Sequence, residues 1–126
     1  MKLLLDTHVI IWWLARPEAL SQSAMAATND RSNTILVSAA SAYEIEIKRP
    51  RDATLARIPE TLHEAVLDAG FTWLAIEAGH GVAAAKLPLH HRDPWDRILV
   101  AQAAAEQARL VTCDRQLTAY QVTTLW

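Results

Sequence analysis

The sequence predicts an α/β fold with a mostly parallel sheet, on three observations. Short continuous apolar runs, Leu3-Leu4-Leu5, Ile35-Leu36-Val37 and Leu110-Val111, have the form of strands covered on both faces. Helix-like segments separate them, so strand and helix alternate along the chain. Two of the runs also end alike, in an acid: Asp6 follows Leu5, and Cys113-Asp114 follows Thr112. The 126 residues suit one domain, residues 1–126.

Lys2 to Leu5 is the first strand, and Asp6 sits at its carboxyl end, where open α/β sheets place their ligands. Asp6 is equally a cap for the helix that follows, Thr7 to Ala15, which stops before Arg16-Pro17. That helix is apolar all round. Adjacent side chains on a helix point about 100° apart, so Trp12 and Trp13 cannot easily share one core, and one of them is a candidate for facing a partner. Ser21 caps a weaker helix to about Arg31. Thr34 to Val37 is the second strand, and Ser38 or Ser41 opens a helix that reaches Lys48 and is closed by Pro50. On that helix Ala40, Tyr43, Glu44 and Ile47 form one stripe, with Glu46 on the solvent side. An acid on an apolar stripe is costly unless it is paired or bound to metal. Arg49 to Ile58 is polar and aperiodic, which predicts a mobile loop.

Pro59 to Ala69 reads as an amphipathic helix stopped by Gly70, Phe71 to Ile76 as the third strand, and Glu77 to Lys86 as a short helix. In His91-Arg92-Asp93-Pro94-Trp95-Asp96-Arg97, Asp93 is the expected N-cap, Pro94 the first helical residue and Asp96 the third. The helix then runs buried through Ala105. Asp93 needs no role beyond capping, whereas Asp96 is placed to meet other acids. Leu110 to Thr112 is the fourth strand, Gln116 to Tyr120 a helical turn and Val122 to Leu125 a final strand.

Bulk properties narrow the function. The hydrophobic fraction, 52%, against 21% charged residues is a globular balance. A net charge of −2 argues against nucleic-acid binding over a broad basic surface, so any such role works through a local site. One cysteine, Cys113, excludes an internal disulfide framework and fits a reducing compartment. The amino-terminal apolar run is too short for a signal peptide and nothing approaches the ~20 residues of a membrane span, so a soluble, cytoplasmic protein is expected.

Strand ends and helix starts gather along one edge of such a sheet. Asp6, Asp96 and Asp114 occupy those positions and Glu44 faces inward nearby, which predicts one acidic pocket. Two like charges ~4 Å apart repel by about 4 kcal/mol at an effective dielectric near 20. No lysine is obviously directed at the pocket, so a hard divalent cation is the expected answer. Carboxylates suit Mg²⁺, with Mn²⁺ as substitute, and neither the histidine spacings nor a single cysteine makes a zinc site. The chemistry this implies is metal-assisted phosphodiester hydrolysis.

Four ordered motifs then carry a resemblance: Leu-Leu-Leu-Asp-Thr-His at 3–8, Ser-Ala-Ala-Ser-Ala-Tyr-Glu-Ile at 38–45, His-Arg-Asp-Pro-Trp-Asp-Arg at 91–97 and Leu-Val-Thr-Cys-Asp at 110–114. Together they resemble the PIN-domain ribonucleases, in particular VapC-type toxins of bacterial type II toxin–antitoxin pairs. The resemblance implies a three-layer fold, a parallel sheet of about five strands with helices on both sides, and Mg²⁺-dependent endonucleolytic cleavage of RNA. It also implies a homodimer and a cognate VapB-type antitoxin.

Carried over by motif, Asp6, Glu44, Asp96 and Asp114 are the catalytic, metal-binding acids, and Asp93 is an auxiliary. Thr7 and Thr112 orient the acids, although Thr7 serves equally as a helix cap, and Trp12 and Trp13 are the partner-binding candidates. His8 and His91 are expected as packing or supporting groups rather than general bases. Tyr43 stands where the family often has tryptophan. The absence of the family's frequent Leu-Gly-Lys segment within 49–58 leaves RNA and antitoxin selection open. A phosphoacceptor receiver domain needs an acidic pair after the first strand and a lysine after the last, and neither is present. A phosphatase of the haloacid dehalogenase type needs a second aspartate where His8 stands. A catalytically inactive PIN-like module that binds RNA or protein is the alternative, and the presence of all four acids speaks against it.

Overall fold

The computed structural model describes residues 1–126. Five parallel strands form one sheet: β1 (Lys2–Leu5), β2 (Thr34–Ser38), β3 (Thr72–Leu74), β4 (Arg109–Val111) and β5 (Thr124–Leu125), in the order β3-β2-β1-β4-β5. Six helices connect and cover them: α1 (Thr7–Ala15), α2 (Gln22–Asn29), α3 (Ala39–Lys48), α4 (Leu62–Asp68), α5 (Ala78–Ala85) and α6 (Pro94–Glu106). The expected α/β class, with about five parallel strands and helices on both sides, is the observed one.

Alternation along the strands makes the three layers. Leu3, Leu5, Ile35, Val37 and Val111 point to one face, where they pack with Val9 and Ile10 of α1, Ala24 of α2, Ile45 of α3 and Leu62 and Val66 of α4. Leu4, Leu36 and Leu110 point to the other, against Leu99, Val100 and Ala103 of α6 and Leu117. A strand between two such layers has no polar face, which is why its sequence is an unbroken apolar run.

Element ends differ from expectation where local chemistry decides. Ser38, not Ser41, caps α3, accepting from the Ala40 amide. α4 begins at Leu62 rather than near Pro59. After α4, Gly70 takes the left-handed conformation (φ 82°) that makes it a good stop. Asp93 caps α6 as expected, its Oδ1 accepting from the Trp95 amide at 2.8 Å, with Pro94 in the first position.

The segment expected as a mobile loop, 49–58, is instead two 3₁₀ turns, Arg49–Arg51 and Ala53–Arg57. Leu55 and Ile58 are buried in the α1-side core. The Arg49 guanidinium donates to the carbonyls of Ile58 (2.7 Å) and Pro59 (3.0 Å) and pairs with Glu46. Two apolar anchors in a polar run leave no periodic signal, so the sequence hides this packing. No helix is long and apolar enough to cross a membrane.

Candidate functional site

The carboxyl ends of β1, β2 and β4 face the first turn of α6 and the middle of α3. Parallel pairing in register brings Leu5 beside Val37 on one side and Val111 on the other, so the residues that follow converge. Asp6 is buried. Its position is that of an N-cap for α1, yet its side chain does not cap: Oδ2 accepts from the Thr112 hydroxyl at 2.7 Å. The same Thr112 Oγ1 accepts from the Asp114 amide (3.0 Å), so one buried hydroxyl sets the spacing of two acids.

Thr7 plays the equivalent part for α3. Its hydroxyl donates to Glu44 Oε1 at 3.0 Å and lies 2.9 Å from Ser41 Oγ. A hydroxyl has one proton, so Ser41 is the donor in that second bond. Glu44 Oε2 takes Lys48 Nζ at 2.8 Å. The expectation of no lysine in the pocket is thereby corrected. Lys48 lies one helical turn beyond Glu44, and that i,i+4 spacing was the signal in the sequence. The stripe argument for Glu44 is corrected too. The buried face of α3 is Ala40, Ser41 and Ile45, while Tyr43 and Ile47 are exposed. Glu44 is shielded by its neighbours and its lysine rather than by an apolar stripe. Glu46 points outward, to Arg49, as expected.

Asp96 does not answer the helix dipole alone. Its Oδ2 lies 3.1 Å from His91 Nε2, and the same nitrogen lies 3.0 Å from Asp114 Oδ2. Ligand atoms of His91, Asp96 and Asp114 all fall within 4.8 Å of one another. Asp114 Oδ1 accepts from the Gln116 amide. His91, expected as a supporting group, lies between the two acids on a loop that Arg97 holds by donating to the carbonyls of Ala84 (2.9 Å), Leu87 (2.8 Å) and Pro88 (2.9 Å). No spacing rule in the sequence foretells that Arg97 faces back onto this loop.

Charges of Asp6, Glu44, Asp93 and Asp96 act on one another across this edge. Burial, then the charges of Asp6 and Asp93, push the Asp96 carboxyl up to about 7, and Glu44 adds to this. Burial also raises Asp6, against the Thr112 hydroxyl and His8. Lys48 is raised chiefly by its bond to Glu44, with Asp93 and Asp96 contributing. The five acids singled out from the sequence are therefore all at this edge, with Asp93 at the rim as a cap. A groove of about 550 Å³ between α3, α4 and β3 contains none of them.

The two tryptophans separate. Trp13 turns inward onto Phe71 (centroids 4.8 Å) and the core. Trp12 packs beside His8 and Trp126 and lines a groove of about 480 Å³ with Ile11, Ala15, Arg16 and Ala56. Trp13 also borders a groove of about 530 Å³, with Thr28, Asn29, Arg31 and Phe71, so both tryptophans reach the surface.

Residues 3–122 match the family model described as PIN domain. The chain is 32% identical over 126 residues to Ribonuclease VapC22 of Mycobacterium tuberculosis (strain ATCC 25618 / H37Rv), covering 94% of this chain and 91% of that protein. Among solved structures it resembles VapBC2 from Rickettsia felis, bound to a DNA fragment from their promoter (TM-score 0.69, 16% identity, 100% of this chain and 98% of that one). FitAcB from Neisseria gonorrhoeae aligns over 98% of this chain and 96% of its own at TM-score 0.72 and 19% identity.

Proposed function

The chain belongs to the PIN-domain family, and on that footing we propose that it is a Mg²⁺-dependent endoribonuclease of VapC type, the toxin of a toxin–antitoxin pair. The observation that carries the reading is the distribution of donors over the acids. Glu44 has both oxygens engaged, by Thr7 and Lys48, and Asp114 has both engaged, by His91 and the Gln116 amide. Asp6 and Asp96 each keep an oxygen with no hydrogen-bond partner, and burial raises the pKa of both. An all-oxygen, half-buried set with two underused carboxylates fits a hard cation.

Asp6 and Asp96 would hold Mg²⁺, or Mn²⁺ in its place, and Glu44 and Asp114 complete the set. The ion, when bound, supplies a more acidic water and charge stabilisation at a phosphoryl centre. The chain's own part is to fix the carboxylates. Thr112 holds Asp6 and the Asp114 backbone at one distance, Thr7 aims Glu44, and Asp93 starts α6 so that Asp96 faces the strand ends.

RNA is the substrate in this reading, supported by the relative named as a ribonuclease. The partner is a small antitoxin, supported by the named VapBC2 and FitAcB structures, and the Trp12 groove is a suitable seat for an amphipathic helix. A homodimer in the cytoplasm completes the reading, and sedimentation velocity decides the oligomeric part. The activity test is cleavage of a structured RNA by purified protein in Mg²⁺ and in EDTA. Cleavage should need the ion and vanish in Asp6→Asn and Asp96→Asn. Wild-type rates from Asp96→Asn would refute the assignment, and no cleavage by any form would favour an inactive binding module.

A further inference from the structure

His91 is the side chain the proposed mechanism leaves unexplained. Its ring reaches two of the acids, and the simple interpretation makes it a third metal ligand beside Asp96 and Asp114. The other ring nitrogen argues against that. His91 Nδ1 lies 3.0 Å from the Asp93 backbone nitrogen, in line with its N–H. A backbone amide always carries its proton, so Nδ1 must be the acceptor and must be unprotonated. A neutral imidazole then has its proton on Nε2, the nitrogen that faces Asp96 Oδ2 (3.1 Å) and Asp114 Oδ2 (3.0 Å). A nitrogen bearing a proton has no lone pair in the ring plane to offer an ion.

The ring is not free to turn over. The His91 amide donates to Tyr120 Oη at 3.0 Å, and Arg97 holds the loop from beneath. The ring itself is half-buried, its side chain 14% exposed. Turning it over would put Cδ2 where Nδ1 sits and leave the Asp93 amide without its acceptor at the start of α6.

We infer that His91 is a positioning residue: it donates its Nε2–H to Asp114 Oδ2, holds the Asp96 carboxylate beside the same nitrogen at 3.1 Å, and is not itself a metal ligand. The inference rests on the proposed cation site and adds to it the group that holds that site's two halves, α6 and the end of β4, in register. Asp114 accepts from the ring through Oδ2, and Asp96 turns Oδ2 towards it. Asp96 Oδ1 is left free, so the clamp and a cation do not compete for the same oxygen.

The test reads the ring directly. Long-range ¹⁵N–¹H correlation spectra of the intact protein should show His91 with Nε2 protonated and Nδ1 bare, in EDTA and again in saturating Mg²⁺. A proton on Nδ1, on both nitrogens, or loss of the Nε2 proton on adding Mg²⁺ would overturn the inference. Calorimetric titration with Mg²⁺ supplies the second arm. Gln places an N–H the same number of bonds from Cβ, so His91→Gln should bind within about 3-fold of wild type, while His91→Leu should bind roughly 10-fold more weakly. Equal losses in both variants would overturn the clamp. Neither arm uses RNA, so a protein that passes both yet cuts no RNA refutes only the ribonuclease reading. If wild type binds no Mg²⁺, the cation site falls, and the spectrum in EDTA still decides the ring.

Discussion

Asp96→Asn should make the metal-free protein more stable, and the structure gives the size. A carboxyl held at about 7 in the fold against an ordinary 3.8 is one the folded state pays to ionise. At 1.36 kcal/mol per pKa unit, the ceiling is about 4 kcal/mol at neutral pH and above. The side chain is 16% exposed, so solvent screening removes only part of it. The asparagine carbonyl can take the place of the carboxylate oxygen beside His91, but its amide must find an acceptor, at a cost of about 1 kcal/mol. A net gain of about 2 kcal/mol corresponds to a melting temperature higher by roughly 5–10 °C in a domain of this size. The sign in pH is fixed. Between 3.8 and about 7 the folded state binds more protons than the unfolded one, so wild type loses stability as pH rises through that window and levels off above it. The gap between variant and wild type should therefore be small near the lower limit, widen to its full value by about pH 8, and do so in EDTA. Millimolar Mg²⁺ should narrow or reverse it by favouring wild-type folded protein. Thermal scans of both proteins across that pH range measure this. A gap that does not change with pH, or no gap in EDTA, would refute the premise that Asp96 is a desolvated acid beside other acids.

Glu44→Gln should abolish RNA cleavage, because Thr7 and Lys48 aim that carboxylate at the site, whereas Glu46→Gln should cleave normally and lose under about 1 kcal/mol of stability with its exposed Arg49 pair. Parallel cleavage assays and denaturant titrations of the two variants separate these outcomes, and equal loss of activity would mean that the outward side of α3 also serves the reaction. Trp12→Ala should weaken binding of the proposed antitoxin by about 2 kcal/mol or more, near 30-fold, measured by calorimetry in the Asp96→Asn background. Wild-type affinity in a folded Trp12→Ala protein would place the antitoxin away from the α1 groove.

What was legible in the sequence followed from rules that act over a few residues. Leu3-Leu4-Leu5 ending at Asp6 and Leu110-Val111 leading to Asp114 mark buried parallel strands with acids at their carboxyl ends, because a strand between two apolar layers can change to polar only at its edge. Asp93-Pro94 marked the start of α6 because capping is local chemistry. The hidden parts are those set by contacts across the chain. Glu44 was assigned to the site by a stripe that the fold leaves partly exposed at Tyr43 and Ile47, and its burial comes from Thr7, 37 positions away, and from Lys48. Leu55 and Ile58 enter the core singly from a polar segment, so no periodicity announces them. His91 meets Asp114 across 23 positions, and nothing in either motif specifies the other.

The positions of the cationic and N–H donors explain how a pocket of this charge can fold without an ion and still favour one. Lys48 sits on Glu44 and the His91 ring is bonded to Asp114, so these two acids are answered by groups built into the chain. These partners lie on the flanks. Asp6, the most buried acid of the set, has a neutral hydroxyl as its bonded side-chain partner, and it is the charge that acts most strongly on Asp96. The uncompensated charge is thereby concentrated between β1 and the first turn of α6, the two elements whose acids keep a free oxygen. A lysine placed there would relieve the strain and fill the space an ion needs. The chain instead holds its lysine one helical turn away on α3, close enough to raise its own pKa through Asp93 and Asp96 but bonded elsewhere. A folded state that is tolerable alone and improved by a dication needs that offset: full compensation at the centre would remove the affinity, and none at the flanks would cost the fold.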